Sequence, residues 1–309
     1  MSTNIRKCVI TSALLLLMGS TAQAATLWVN CGAREGLNSI GAALKALQSS
    51  ESHGPATINV SGACHENVVI QSIDRLRLTA LKRASVSDAS GGTLSVIDIE
   101  DSRDVAINGF TINAGSDGVS GANGIVCGEF STCRLSGNVI KGATSGAGFV
   151  VFGQSQATLD GDTLQNNNSG LLVLSGSRVH GGPFTSRGNG RGIDLRRGAF
   201  AFIIAVVENN SVVGVDVRWH STLELTSSSI SGSGSVGAVV REGSFARFSD
   251  STISGNAGGG VAYSDLSMGD FAGTTVSGNN SVTDVVCNPQ FAATRGTGTI
   301  GGTTNCVEP

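Results

Sequence analysis

The fold of this chain follows from one recurring segment: GFVVFGQS (148–155), GLLVLSGS (170–177), GIDLRRGA (192–199), GVDVRWHS (214–221), GAVVREGS (237–244) and GVAYSDLS (260–267). The first glycines stand at 148, 170, 192, 214, 237 and 260, so the sequence repeats every 22 or 23 residues. Apolar residues alternate with other residues inside each segment, which indicates a short β-strand. Turns rich in glycine, asparagine and serine separate the strands. A repeat of this length that holds only short strands predicts a coil of parallel strands, with one full turn of the coil, a rung, per repeat.

Two other repeat architectures fit this period less well. A leucine-rich repeat requires L-x-x-L-x-L-x-x-N/C, which the sequence lacks, and a propeller blade is about twice as long. The alternation continues upstream with longer turns, in the segments DRLRLTAL (74–81), SVIDIEDS (95–102), DVAINGFTI (104–112) and GIVCGEF (124–130). We therefore expect stacked rungs over about residues 56–290.

Asparagine marks the turns of three successive repeats. Asn167, Asn189 and Asn209 each follow a short strand, and asparagine side chains carry both donors and acceptors that can connect one rung to the next. We expect a structural ladder at these positions and not a catalytic group.

The segment LNSIGAALKALQS (37–49) precedes the repeats and has a different period. Its large apolar residues recur at helical spacing: Leu37, Ile40, Leu44 and Leu47. This spacing predicts a short amphipathic helix, placed where it can cover the N-terminal end of the coil. We expect one domain over 25–309, in which 25–55 forms this cap and 287–309 forms a second cap after the last rung.

The first 24 residues have the composition of a secretory signal peptide. They combine a positive start at Arg6 and Lys7, an apolar run over 9–18 and a small-residue cleavage site that ends at Ala24. The apolar run is too short to span a bilayer, and no later stretch is long enough either. We therefore expect an exported protein, periplasmic or extracellular, with no membrane span.

The cysteines indicate disulfide bonds. Removal of residues 1–24 takes away Cys8 and leaves an even number of cysteines in an exported chain. Several pairings are possible, and we expect the one that joins sequence neighbours: Cys31–Cys64, Cys127–Cys133 and Cys287–Cys306. A zinc site is the alternative, but the sequence has no C-x-x-C and no histidine near the last four cysteines. We expect no metal ion and no cofactor.

With this rung pattern, and with the helix placed before TINVSG (57–62), the chain resembles the right-handed parallel β-helix superfamily, which has the pectate-lyase-like fold. The resemblance covers roughly residues 56–290. It implies an all-β fold, a single-stranded right-handed parallel β-helix solenoid with a short N-terminal capping helix. The superfamily contains lyases, hydrolases, esterases, epimerases, adhesins and phage tailspikes, so it implies no single activity. The sequence motifs of polygalacturonases, pectin methylesterases and pectate lyases are absent, and no catalytic residue carries over from them.

Composition narrows the choice of partners. The chain has 309 residues and a formal charge of −3, so no excess of positive charge favours nucleic acid. Only 5% of the residues are aromatic, although 44 are glycine. Because aromatic rings supply flat stacking surfaces for sugars, this scarcity argues against a cleft lined with rings.

The densest group of charged side chains falls in the two neighbouring repeats GIDLR and GVDVR. If the apolar residues of these strands point into the core, the charged ones point outward. They are Asp194, Arg196, Asp216 and Arg218, and the next repeat places Arg241 in register with the arginines. The turns that follow add more polar groups: Arg197, Trp219, His220 and Glu242.

Two interpretations of this group are open. In the first, the arginines bind a carboxylate or sulfate of an acidic glycan, together with Trp219, His220 and Glu242. Asp194 and Asp216 then act as general acid and base. In the second, the aspartates and arginines form a ladder of ion pairs that covers an exposed sheet.

Two hypotheses for function follow. The first is an exported protein that binds or processes an acidic polysaccharide; an enzyme of this kind would be a lyase, a hydrolase or an esterase. The second is a non-catalytic structural or adhesive protein of the envelope or surface. The longer turns at 82–95 and 113–124 are the candidates for cleft walls under the first hypothesis. The short turns of the later rungs favour the second.

Overall fold

The protein is a right-handed solenoid of parallel β-strands that begins beside a short helix. The computed structural model describes residues 24–49, 55–119, 121–281, 283–287, 293–296, 298–300 and 304–306. The segment expected to be a signal peptide, 1–24, lies outside these residues except for Ala24. The helix is α1 (Ile40–Ser49). Across the described ranges, no helix is both long enough and apolar enough to cross a bilayer.

In chain order, the strands of the described residues are β1 (Ala25–Cys31), β2 (Ala56–His65), β3 (Val68–Gln71), β4 (Leu76–Ala80), β5 (Ser85–Ser87), β6 (Ile97–Glu100), β7 (Val105–Asn108), β8 (Thr111–Asn113), β9 (Ile125–Gly128), β10 (Thr132–Ser136), β11 (Val139–Lys141), β12 (Ala147–Val151), β13 (Gln156–Asp160), β14 (Thr163–Gln165), β15 (Ser169–Leu174), β16 (Arg178–Arg187), β17 (Arg191–Arg196), β18 (Phe200–Glu208), β19 (Val213–Val217), β20 (Thr222–Thr226), β21 (Ser229–Ser231), β22 (Val236–Val240), β23 (Phe245–Ser249), β24 (Thr252–Ser254), β25 (Gly259–Tyr263), β26 (Met268–Ala272), β27 (Thr275–Val276), β28 (Val285–Cys287), β29 (Ala293–Gly296) and β30 (Thr299–Ile300). They form one sheet of 20 strands, here called the large sheet, and one of 10 strands, here called the small sheet. The small sheet contains β3, β6, β9, β12, β15, β17, β19, β22, β25 and β28.

Each rung contributes strands to both sheets. In one middle rung, β13 and β14 belong to the large sheet and β15 belongs to the small sheet. The next rung pairs with it in parallel, so that Leu171 lies opposite Ile193 and Val173 opposite Leu195. These four side chains are fully buried, because both sheets turn their apolar residues toward one continuous core. The expected all-β parallel solenoid is confirmed, with about one rung for each strand of the small sheet.

Buried asparagines form the expected ladder, but with a shift of one residue at its third position. The backbone N–H of Asn167 donates to Oδ1 of Asn189, and the N–H of Asn189 donates to Oδ1 of Asn210. Asn209 has a φ of 54° and takes the left-handed turn position, as Gly188 does one rung earlier with a φ of 63°. The prediction of Asn209 as the ladder residue is therefore wrong. Asparagine tolerates the left-handed conformation better than most residues, so sequence position alone did not separate the two roles.

A second ladder of buried hydroxyls lines the corner that follows the small sheet. The N–H of Ser131 donates to Oγ of Ser155, and the N–H of Ser155 donates to Oγ of Ser177. Ala199 has no hydroxyl to offer to Ser177, but its own N–H donates to Oγ of Ser221, and the N–H of Ser221 donates to Oγ of Ser244. These bonds give partners to backbone N–H groups that the turns would otherwise leave unpaired in the interior.

The N-terminal end of the core is covered as expected, although the strand structure begins earlier. Residues 25–31, predicted as part of the cap, form β1 and pair with β2, because Leu27, Val29 and Cys31 alternate toward the core. Helix α1 then buries Ile40, Leu44 and Leu47 as predicted, whereas Leu37 lies before the helix and packs partly buried against the core. Glu66 accepts hydrogen bonds from the N–H groups of Ile40 and Gly41, at 2.7 and 3.0 Å, which places a carboxylate at the positive end of the helix.

All three expected disulfides are confirmed: Cys31–Cys64, Cys127–Cys133 and Cys287–Cys306. The first joins β1 to β2 at the N-terminal end, and the last ties Cys306 to the end of β28. The middle one links β9 to β10 across a single corner. Both ends of the core are therefore cross-linked, where a solenoid lacks a neighbouring rung. The rungs continue beyond the expected limit of about 290, because β29 and β30 pair with β26 and β27 and Thr304 pairs with Val285, within the range expected to form the second cap.

Candidate functional site

The charged group predicted from the sequence lies on the outer face of the small sheet. Strand β17 pairs with β19 so that Asp194 lies opposite Asp216. The same pairing places Ile193 opposite Val215, and these apolar side chains are buried in the core. Because successive side chains of a strand point to opposite faces, the two aspartates point away from the core, as expected.

Glycine allows these two strands to pass close to the Asn corner. A Cβ on Gly214 would come within 2.5 Å of the carbonyl oxygen of Gly237 and 2.6 Å of Ile230. A Cβ on Gly192 would meet Gly214 and Val207 at similar distances. The repeated glycine that begins GIDL and GVDV is therefore required by close approach between rungs, and it fixes the start of each charged segment.

Asp194 is fully buried although it points outward. Arg196 forms a bidentate pair with it, from Nε at 2.7 Å and from Nη2. Arg218 adds a second guanidinium, with Nη2 at 3.5 Å from the Asp194 carboxylate. Its Nη1 lies 3.7 Å from Asp216, so one arginine bridges both carboxylates. The guanidinium groups cover the carboxylate and exclude solvent from it.

Asp216 has a similar environment and is 2% exposed. Arg241 donates to it at 3.0 Å, and Nε of Arg191 lies at 3.5 Å. The four arginines around the two carboxylates are here called the arginine cluster: Arg191, Arg196, Arg218 and Arg241. Four guanidinium groups against two carboxylates leave an excess positive charge on this part of the outer face.

The arginine cluster retains hydrogen-bonding capacity. The buried Nε atoms of Arg191, Arg218 and Arg241 have no hydrogen-bond partner among the described residues. Burial lowers the pKa of Arg218, while Asp194 and Asp216 act in the opposite direction. These Nε atoms are buried, so an anion reaches the cluster through the exposed parts of the arginine side chains, which are 13 to 32% exposed.

Trp219 lies beside the cluster and is covered by two cations. Its ring is 5.0 Å from the guanidinium carbon of Arg218 and 5.4 Å from that of Arg197, and it is 38% exposed. His220 is exposed in the same turn, and its N–H donates to the carbonyl of Glu242. The turn residues predicted for the site therefore lie beside the arginines.

Arg191 is the member of the cluster that the sequence analysis missed. It precedes Gly192, outside the alternating segment that defined the repeat. Its Nε nevertheless lies 4.0 Å from Asp194 and 3.5 Å from Asp216. Its position one residue before the repeated glycine of a charged rung was the available signal.

The remainder of the small sheet is not cationic. Between the long turns and the arginine cluster, the outer face carries an apolar cluster formed by Val126, Ala147, Val150, Phe152, Leu172 and Leu174. Nearer the N-terminal end, burial and repulsion from Glu100 raise the pKa of Asp98 to about 6. The turns at 82–95 and 113–124, expected as cleft walls, precede β6 and β9 and are separated from the arginine cluster by β12 and β15.

Among the residues that the structure describes, one group of metal-ligating residue types lies close together, and all of its ligand atoms already have other bonding partners. Cys31, Cys64 and Glu66 have ligand atoms within 4.8 Å of one another. The two cysteines form a disulfide, and the carboxylate of Glu66 holds the start of α1. None of the three is therefore available as an anionic ligand.

Comparisons with solved structures agree with this architecture. The A-module of the Azotobacter vinelandii mannuronan C-5 epimerase AlgE4 is 14% identical with a TM-score of 0.64, over 91% of this chain and 98% of that chain. The enzymatically active domain of tailspike protein 2 from bacteriophage CBA120 is 12% identical with a TM-score of 0.65, over 87% of this chain and 47% of that chain. Pectate lyase Pel9A is 11% identical with a TM-score of 0.50, over 94% and 80% of the two chains. At these identities the likeness shows the fold alone.

Sequence comparison identifies the family. Among curated proteins, no sequence matches this chain. The family described as "Right handed beta helix region" matches residues 95–304, which is more than half of the chain. Those residues contain every rung from β6 onward, the repeated glycines and the whole arginine cluster. The chain therefore belongs to the right-handed beta-helix family.

Proposed function

We propose that this protein is exported and binds an acidic polysaccharide through the arginine cluster. The observation that carries the proposal is the imbalance of charge at that site, where four arginines surround two buried carboxylates. An anionic sugar group would supply the missing negative charge. Uronate and sulfate groups have the oxygen geometry that guanidinium groups bind in pairs.

The two aspartates act in this proposal as positioning residues. Their carboxylates are covered by guanidinium groups, and a buried carboxylate without contact to solvent has no access to a substrate proton. Asp194 holds Arg196, Asp216 holds Arg241, and Arg218 spans both. The side chains are thereby ordered before a ligand arrives, which reduces the entropy cost of binding.

Trp219 extends the site on one side. The guanidinium carbons of Arg218 and Arg197 lie 5.0 and 5.4 Å from the centre of its ring, and more than a third of the residue is exposed. A sugar ring could pack against this surface while its carboxylate reaches the arginines. The apolar cluster on the neighbouring rungs offers a second, dry surface for the non-polar face of a sugar.

Export is supported by the disulfides and by the sequence of the first 24 residues. Three disulfides are typical of proteins that fold in an oxidising compartment. Two of the structural relatives are an epimerase of mannuronan and a pectate lyase, whose names specify acidic polysaccharides. Both considerations favour an extracytoplasmic glycan over a cytoplasmic partner.

Binding to oligogalacturonate and oligomannuronate, measured by calorimetry at low salt, tests the proposal. We expect Arg218→Ala and Arg241→Ala each to weaken binding at least about tenfold, which corresponds to about 1.4 kcal/mol. The matched control is Arg247→Ala, which removes an arginine from the large sheet. Unchanged binding in both cluster variants would show that the arginines only form a surface ladder, and assays for new reducing ends or unsaturated sugars would reveal any turnover.

A further inference from the structure

A second group of positive side chains lies on the outer face of the large sheet, away from the arginine cluster. Two adjoining depressions cross the sheet there, with volumes of about 480 and 330 Å³, and a third of about 520 Å³ adjoins them at the corner before β13 and β16. The first two share Asp104 and Arg134, and the last two share Gln156. Together they form one channel across β2, β4, β7, β10, β13 and β16, here called the large-sheet groove. Six neighbouring strands span roughly 24 Å.

The groove is basic within an acidic protein. Four arginines line it against one carboxylate: Arg75, Arg77, Arg134, Arg178 and Asp104. Asp104 is paired with Arg134 at 3.0 Å, and both side chains are more than half exposed. The chain as a whole has a formal charge of −3. This local excess of positive charge therefore sets the groove apart from the average surface.

The cations follow the register of the strands. One outward column runs from Arg77 through Ala106 to Arg134 and then through Thr158 to His180. Arg77, Arg134 and His180 occupy every second position of this column, at a spacing of roughly 10 Å. A linear polymer whose negative groups lie on one side, at every second residue of the polymer, matches the spacing of this column.

A small residue gives the groove its depth. Ala106 lies between Arg77 and Arg134 in the column and is 6% exposed, because the longer neighbours flank it. At the other end, Nδ1 of His180 lies 3.3 Å from the hydroxyl of Thr158. The next residue of the column is Phe202, which is 47% exposed. A charged floor therefore ends at an exposed aromatic ring.

We propose that the large-sheet groove is a second binding site for a linear acidic glycan, which lies along the axis of the solenoid. The regular column of cations meets its carboxylates, and Phe202 packs against a sugar ring at the end of the groove. Single-stranded nucleic acid fits less well, because its binding sites present several stacking rings along the strand. This site does not rest on the arginine cluster, which faces outward from the other sheet.

Calorimetry of the full-length protein with a short oligogalacturonate at low salt tests the second site. We expect two oligomers bound per chain. The double variant Arg77→Ala/Arg134→Ala should remove one of them and leave the other, and Arg218→Ala/Arg241→Ala should remove the complementary one. Thr158→Glu, which places a negative charge in the column, and Ala106→Trp, which fills the groove without a change of charge, should each weaken the same site at least about tenfold.

The outcomes separate this proposal from the proposed function. A single site that is unaffected by the groove variants overturns the large-sheet groove and leaves the arginine cluster standing. A single site that only the groove variants remove overturns the arginine cluster and supports the groove. Arg247→Ala is the control for loss of one surface arginine. Tighter binding of a single-stranded oligonucleotide than of oligogalacturonate at the same salt overturns the assignment to a glycan, and no binding of either overturns both sites.

Discussion

Asp194 lies directly opposite Asp216 in the parallel pairing of β17 and β19, and both carboxylates are buried. Like charges at directly opposed positions of a sheet destabilise it. The pair persists because Arg218 bridges the two carboxylates at 3.5 and 3.7 Å while other arginines complete the cover. The aspartates and the arginines therefore compensate each other's charge, and each group stabilises the other.

Removal of one of these carboxylates should be costly. Asp216→Ala leaves buried guanidinium groups without their anion, and breaking a buried pair in this way typically costs about 3–5 kcal/mol of unfolding free energy. Urea unfolding followed by circular dichroism measures it. Asp270→Ala is the matched control, because its ion pair with Arg247 at 3.2 Å is partly exposed and should contribute less than about 1 kcal/mol. Equal effects of the two variants would contradict the buried network.

Asp162 should make the protein less stable as the pH rises from about 4 to about 6. Burial raises the pKa of this carboxyl to about 6, although hydrogen bonds from Asn138 oppose the shift. In the unfolded chain the pKa is about 3.9, so between these values the folded state binds more protons. The contribution to stability is full below about pH 4 and is lost by about pH 6, with a size of about 3 kcal/mol.

Asp162→Asn tests this pH dependence because it removes the titration and keeps the size of the side chain. We expect a smaller decline of the unfolding free energy between pH 4 and pH 6 than in the unaltered protein. Asp98, with a pKa also near 6, should account for part of the decline that remains. Asp265→Asn, an exposed change several rungs away, is the control and should leave the decline between pH 4 and pH 6 as it was.

The repeated glycines should differ from the turn glycines in their response to alanine. Gly214→Ala places a methyl group 2.5 Å from a carbonyl oxygen of the next rung, and overpacking of this kind costs about 1–3 kcal/mol or more. At Gly255 an added Cβ would meet no atom within 4 Å, so Gly255→Ala should lower the unfolding free energy only by the strain of a left-handed φ of 65°, about 1 kcal/mol. Thermal unfolding of both variants gives the comparison. A smaller loss for Gly214→Ala than for Gly255→Ala would refute the requirement for close approach.

The disulfide that closes the longer loop should contribute more to stability. Cys31 and Cys64 are 33 residues apart, whereas Cys127 and Cys133 are 6 apart. In the loop-entropy description, the longer loop gives about 1.5 kcal/mol more stabilisation. Double alanine variants of each pair, compared by urea unfolding, measure the difference. The opposite order would indicate that packing around the cysteines outweighs the entropy of the unfolded chain.

The fold could be predicted from the sequence because a solenoid repeats the same residue pattern in every rung. The glycine period fixed the rung length, and the alternation within GIDL and GVDV fixed which residues face the core. The disulfide pairing followed because neighbours in sequence are neighbours in a coil. The prediction at Asn209 was wrong because asparagine suits both the left-handed turn and the ladder position, and only φ distinguishes them.

The site could be predicted less completely. The outward direction of Asp194 and Asp216 follows from strand alternation, but their burial depends on how far each arginine side chain reaches. Arg191 stands outside the repeat pattern, and only the close packing of the rungs brings it to the carboxylates. The large-sheet groove could not be predicted from the sequence, because the residues of its column are spread over more than a hundred positions.

The asparagine ladder has a consequence for the way in which the protein unfolds. Asn189 accepts from the N–H of Asn167 through its side chain, and its own N–H donates to the side chain of Asn210. Loss of one rung therefore leaves unpaired polar groups on the rungs above and below it. The solenoid should accordingly melt in blocks of several rungs, and native-state hydrogen exchange should find adjacent corners opening together at one shared free energy.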